Sequence, residues 1–153
     1  MHDLEKIRAG SLSAIDYVED CREKAPRLHE NYESYELDGE AVTKIRCHVD
    51  RYMVVAFSAE WCPDCHRNVP ILALLQRETG LEARVFGGLM RDAKSNERRW
   101  RIPPSPAEVD EFDVVRIPYI VVLNMRGEVE GEIVENPPKG KTLEAVLLEI
   151  LEG

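Results

Sequence analysis

Long apolar runs are missing from this sequence. Those that stand out, MVVAF at 53–57 and YIVVL at 119–123, are far below the roughly 20 residues that a membrane-spanning helix needs. Positive charge is also in deficit. Twenty Lys and Arg stand against 29 Asp and Glu, a net charge of −9. Neither nucleic acid nor an anionic membrane is therefore expected as the main partner, since both bind a basic face. Arg98, Arg99 and Arg101 form the only candidate basic cluster. The first residues, MHDLEKIRAGSL, lack the apolar centre of a signal peptide, so the expected location is cytoplasmic. A G-x-G-x-x-G fingerprint is absent too, which argues against a nicotinamide or flavin cofactor. Gly87-Gly88 is not that motif. It reads as a place where the backbone approaches a neighbour or forms a bulge.

What is present suits one soluble domain. The chain has 153 residues, 44% apolar and 32% charged, enough to bury a sizeable core. Residues 1–50 read as a helical extension. Ser13-Ala-Ile-Asp16 resembles a capping box, and Ile15, Val18 and Cys21 follow on one side. Pro26 interrupts or restarts that helix. Asp38 is placed to cap another, through Val42 and Ile45. Leu12, Ile15, Val18 and Leu28 are expected to cover one face of a sheet.

The pattern changes near residue 51. Tyr52 to Ser58 is a continuous apolar run, as in a strand buried on both faces. Cys62 to Glu78 has helical spacing and stops at Gly80. Ala83 to Leu89 and Tyr119 to Asn124 read as further strands. Arg126-Gly127 turns the latter into a hairpin with Glu128 to Glu135. Thr142 to Leu151 is a closing helix, with Leu143, Val146, Leu147 and Ile150 facing inward. The expected product is α/β: a mixed sheet of four or more strands, the first two parallel, flanked by helices.

The chemistry concentrates in SAEWCPDCHRNVP, residues 58–70. Cys62 and Cys65 lie where a strand ends and a helix begins. A helix N-terminus lowers a thiol pKa, because unpaired N–H groups and the helix dipole favour the anion. Pro63 suits the first helical turn. Cys65, one turn on, can reach the Cys62 sulfur. The spacing makes Cys62 the exposed nucleophile and Cys65 the recessed resolving thiol. Two ligand readings compete. Cys62-Pro-Asp-Cys65-His66 fits the CxxCH haem-attachment signature, although attachment generally needs export. Cys62, Cys65 and His66 with Cys47-His48 would supply zinc donors, although a second spaced pair is lacking. Cys47 and Cys21 each read more simply as small buried residues. A cysteine protease is disfavoured, because nothing orients His29 or His48 toward Cys62.

The strand VVAFSAEWCPDC, a helix containing Pro70, and a distant Arg116-Ile117-Pro118-Tyr119 before an apolar strand resemble the thioredoxin superfamily over roughly residues 45–153. Its WCPDC motif and helical N-terminal extension resemble a bacterial and archaeal group of thioredoxin-like proteins. The resemblance implies that Ile117-Pro118 carries a cis peptide and faces the cysteines, with the neighbouring backbone pairing with a substrate chain. It implies thiol–disulfide exchange by Cys62 and Cys65, with Trp61, Pro63, Asp64, His66, Ile117 and Pro118 around them. No cofactor and no metal is required. The partners would be a disulfide-containing protein or small molecule and an upstream dithiol donor. Reduction is the expected direction, with oxidase or isomerase chemistry using the same residues. A non-catalytic interaction module or a metal-binding domain is the alternative.

Two departures stand out. Thioredoxins carry a buried acid six residues before the nucleophile, where this chain has Ala56. Asp64, His66 and Glu60 are candidates to serve instead. Asp64 should oppose the Cys62 thiolate and a protonated His66 favour it. Residues 91–115 form an insertion. Asn96 to Trp100 reads as helical, Ser105-Pro-Ala-Glu108 as a capping box, and Trp100 as packing or substrate contact.

Overall fold

The computed structural model describes residues 1–89 and 105–153. Arg98, Arg99, Trp100, Arg101 and most of the insertion lie outside them. From the N-terminus come helix α1 (Leu4–Gly10), strand β1 (Leu12–Ser13), and helices α2 (Ala14–Lys24), α3 (Pro26–Ser34) and α4 (Gly39–Ile45). A 3-10 turn, Val49–Arg51, leads into β2 (Tyr52–Phe57) and α5 (Pro63–Thr79). Then follow β3 (Glu82–Phe86), α6 (Glu108–Glu111), β4 (Tyr119–Asn124), β5 (Val129–Val134) and α7 (Leu143–Glu152). No helix among the described residues is long and apolar enough to cross a membrane.

Local chemistry sets these boundaries. Ser13 Oγ accepts the Asp16 N–H at 3.1 Å and so caps α2. Asp38 caps α4 by accepting the Glu40 N–H at 3.0 Å. Pro26 restarts the chain as the first residue of α3. Gly80 ends α5 in the left-handed conformation, φ +79°, which a side chain would disfavour. Ser105 does not cap α6. That helix starts later, from Ala107, without a side-chain cap.

The sheet has five strands in the order β1-β3-β2-β4-β5. β2 and β3 run parallel; β4 is antiparallel to both β2 and β5. β1 is an unanticipated edge strand, two residues long and antiparallel to β3. Consecutive strand residues face opposite sides. On one side Phe57 packs with Phe86 and Phe112, each at 5.2 Å between ring centroids. On the other lies α5, whose Val69, Leu72, Ala73 and Leu75 are buried.

The N-terminal helices add a further layer. α2 and α3 pack mainly on α5, and α4 on α7 and α5. The expectation that this segment covers the sheet holds in part: α1 and α2 reach strand β3 directly, while α2 and α3 lie mainly over α5. Val18 and Leu28 are buried as expected, but Leu12 is 43% exposed on the edge strand. The attachment to α7 is polar at its centre. The fully buried Glu144 carboxylate accepts the Tyr35 hydroxyl at 2.9 Å and the Asp38 N–H at 3.0 Å. Both ends of the chain contribute to one hydrophobic cluster, from Ile7 to Leu151. Cys21 is buried in α2, whereas Cys47 is exposed, because it follows the last turn of α4 and points away from the core.

Candidate active site

The sequence Cys-Pro at the start of α5 puts a thiol where a helix presents its unpaired N–H groups. Cys62 is the N-cap of α5, and its Sγ accepts the Cys65 N–H at 3.2 Å. That bond is charge-assisted once the sulfur is ionised. The Cys62 thiol is lowered to about 7, first by the hydrogen bond from the Cys65 thiol. Burial acts against this, the Cys65 backbone N–H and the Arg67 charge add to it, and Glu135 opposes it. Cys62 is only 4% exposed, not the exposed thiol the spacing suggested, and Cys65 is fully buried. Its thiol is pushed far up, chiefly by burial and then by the neighbouring Cys62. The two sulfurs therefore have unequal roles available: one ionises near neutrality and the other holds its proton.

The Ile117-Pro118 peptide is cis, and the Ile117 carbonyl oxygen stands 4.0 Å from Cys62 Sγ. A groove of about 320 Å³ runs between them, lined by Trp61, Cys62, Pro63, Asp64, Val115, Arg116, Ile117 and Glu135. Trp61 and Val115 are about half exposed, at 52% and 49%, and give the groove an apolar rim. The Trp61 indole N–H donates to the Leu89 carbonyl at 3.2 Å. Asn68 braces the groove from below, donating to the carbonyls of Asp64 at 2.8 Å and Glu135 at 3.1 Å.

The residues expected to influence the thiols are brought near but differently used. Asp64 pairs with Arg67 rather than facing Cys62. The His66 ring Nε2 is bonded to the Glu60 carbonyl at 2.6 Å, which commits it away from the sulfurs. Arg67 and Glu135 are the charges that matter most at Cys62. The zinc grouping is not assembled, since Cys47 is exposed beyond α4. Among the described residues no three His, Cys, Asp or Glu side chains cluster as a metal site would need.

A family model described as thioredoxin matches residues 11–147. The chain belongs to the thioredoxin family. The match includes α2, α3 and α4, so the family extends into the N-terminal helices. No curated protein matches the chain. Among solved structures, a protein of unknown function from Pseudomonas aeruginosa is similar, with 17% identity, a TM-score of 0.68, and coverage of 100% of this chain and 99% of that one. An HIV epitope-scaffold is similar at 18% identity and a TM-score of 0.65, over 99% of both chains. At such identities the likeness is one of fold.

Within the thioredoxin framework, the position of the usual buried acid is a fully buried alanine, Ala56. Three residues that sequence reasoning did not single out approach Cys65 or the groove instead: Tyr17, Ser58 and Glu135. Ser58 could only have been suspected from being polar at the end of an apolar strand. Tyr17 is buried in α2, and its one sequence signal is indirect. A Cβ on Gly87 would come within 2.4 Å of the Tyr17 ring, so the Gly87-Gly88 doublet does mark a close approach.

Proposed function

We propose that this protein is a thiol–disulfide oxidoreductase that reduces disulfides in protein or small-molecule substrates. The observation that carries this reading is the paired geometry: Cys62 Sγ at the α5 N-terminus, 3.2 Å from the Cys65 N–H, with the Ile117 carbonyl across the same groove. The Cys62 thiolate attacks one sulfur of a substrate disulfide. The substrate S–S bond breaks, one half leaves as a thiolate, and the other is held as a mixed disulfide. Cys65 then loses its proton and attacks Cys62 Sγ. The substrate's second thiolate leaves, and a Cys62–Cys65 disulfide remains. Two electrons have passed from the dithiol to the substrate, and an external dithiol donor restores the enzyme.

Trp61 and Val115 favour a substrate with an apolar flank beside its disulfide. The backbone of Ile117, whose carbonyl faces Cys62, would pair with an extended segment of it. A cytoplasmic setting and the reducing direction belong to the same proposal, since a reducing compartment supplies the donor. The test is a redox titration read by alkylation and mass. A two-electron transition confined to Cys62 and Cys65, between about −270 and −200 mV, is expected of a reductase. A much less negative midpoint would assign oxidase or isomerase chemistry. A pair that never oxidises would end the oxidoreductase reading.

A further inference from the structure

Resolution of the mixed disulfide requires a proton to leave Cys65, and the family's usual acceptor is replaced by Ala56. The structure supplies a different exit. Ser58 is fully buried beside Cys65, where its hydroxyl pulls the raised thiol back down, and its Oγ lies 3.1 Å from the Tyr17 hydroxyl. The Tyr17 hydroxyl donates to Glu60 Oε2 at 2.9 Å. The same carboxylate oxygen accepts the Gly88 N–H at 3.1 Å. Ser58 and Cys65 are fully buried and Tyr17 is 3% exposed, so water cannot readily replace the two hydroxyls. Glu60 is half-buried and lines a cavity of about 430 Å³ with Asp20, Lys24, Gly87 and Gly88. Among the described residues, that cavity shares no lining residue with the substrate groove.

Each hydroxyl has one proton, which fixes the order of donors. Tyr17 gives its proton to Glu60, so its oxygen is open to a proton from Ser58, and Ser58 Oγ is open to one from Cys65. We infer that Ser58, Tyr17 and Glu60 form a proton relay that deprotonates Cys65 during the resolving step. The Cys65 proton moves to Ser58, the Ser58 proton to Tyr17, and the Tyr17 proton to the Glu60 carboxylate. Cys65 becomes a thiolate and Glu60 a carboxylic acid, which returns its proton to solvent through the cavity. Lys24 and Asp20 of α2 are the charged side chains that share the cavity with it. The Cys21 thiol, also buried in α2, is pushed up to about 11 by burial. The proton thus leaves by one side while the substrate occupies the other. Ser58 touches the reacting group; Tyr17 and Glu60 act through it.

This inference rests on the oxidoreductase reading, and one experiment separates the two. In a Cys47→Ser background, which removes the exposed thiol, the reduced protein is mixed with 5,5′-dithiobis(2-nitrobenzoate) in a stopped-flow instrument. Cys62 releases the first nitrothiobenzoate, and Cys65 displaces the second. If the protein without further changes does not release both and end as the Cys62–Cys65 disulfide, the oxidoreductase reading fails. If it does, Tyr17→Phe and Glu60→Gln decide the relay. The relay requires an unchanged first phase and a second phase slowed by about 100-fold at neutral pH, the lower end of what a positioned base contributes. The loss should close at alkaline pH, where hydroxide serves, and Glu60→Asp should recover part of it. A second phase that is unaffected, or slowed equally at every pH, overturns the relay. So does an equal loss in both phases. Should Tyr17→Phe not fold, Glu60→Gln decides alone, because that side chain is half-buried and keeps its shape.

Discussion

Cys62 and Cys65 stand one helical turn apart, yet their surroundings treat them oppositely. Cys62 opens on a groove rimmed by Trp61 and Val115, and its thiol is drawn down to about 7. Cys65 faces inward, under α2, where burial holds its proton in place. The groove side is built from the start of α5 and from the segments that flank β4 and β5. The buried side depends on the N-terminal helices, because α2 supplies Tyr17. The lesson is that one face of the dithiol is made by the helix N-terminus itself, and the other by what is packed over that helix.

The sharpest break of this contrast is to remove each sulfur in turn. Cys62→Ser should lower disulfide reduction to background, whereas Cys65→Ser should complete one attack and accumulate a mixed disulfide visible by mass. Accumulation in both variants would make the two thiols equivalent and erase the distinction.

Packing on the buried side is the next largest effect. Gly87→Ala places a methyl group against the Tyr17 ring. Such overpacking costs about 1–3 kcal/mol, readable as a lowered urea midpoint. It should slow the resolving step while leaving the Cys62 attack intact. Equal slowing of both steps would show that Tyr17 does not separate the two sides.

The two thiols should also pull stability in opposite directions with pH. The folded Cys62 value of about 7 lies below that of an ordinary thiol. Its contribution is therefore complete above the ordinary value and lost as pH falls through about 7. The Cys65 value is raised, so its contribution is complete below the ordinary thiol range and lost as pH climbs beyond it. The reduced protein's Tm should rise from slightly acid pH toward about 9 and then fall, relative to the oxidised protein, in which neither sulfur titrates. Parallel curves for the two redox forms would contradict both shifts.

The smallest effect concerns the exposed pair. Arg67→Gln should raise the alkylation midpoint of Cys62 by less than about one pH unit, since Arg67 is exposed and screened. Asp64→Asn should leave that midpoint nearly in place, because Asp64 pairs with Arg67. A large shift from Asp64→Asn would mean that the carboxylate faces the thiolate after all.

Much of the fold was legible because its signals are local. The run Tyr119–Asn124 became a strand with the expected limits, since consecutive β-branched and aromatic residues suit a doubly buried strand. Gly80 and Ser13 act within a few residues of themselves. The two-residue strand β1 was not legible, because Leu12-Ser13 is a strand only through pairing with β3. Ser105 failed as a cap because the backbone turned into α6 two residues later than its hydroxyl could serve. Cys47 was misplaced for a similar reason: a lone cysteine carries no mark of which way a helix end points.

The sequence by itself determined the reactive unit. Strand, tryptophan, two cysteines spaced by Pro-Asp and an immediate helix place a thiol at a helix N-terminus, and that geometry follows from neighbours along the chain. Tertiary structure decided how each sulfur is surrounded. Ile117 is 55 residues from Cys62, and Tyr17 is 41 residues from Ser58. Those meetings depend on sheet register and helix packing. Charge, burial and hydrogen-bond partners act through space, so local patterning could name Asp64, His66 and Glu60 as candidates. Asp64 meets Arg67 one turn along α5, a local pairing, whereas only packing turned Glu60 toward the hydroxyl of Tyr17.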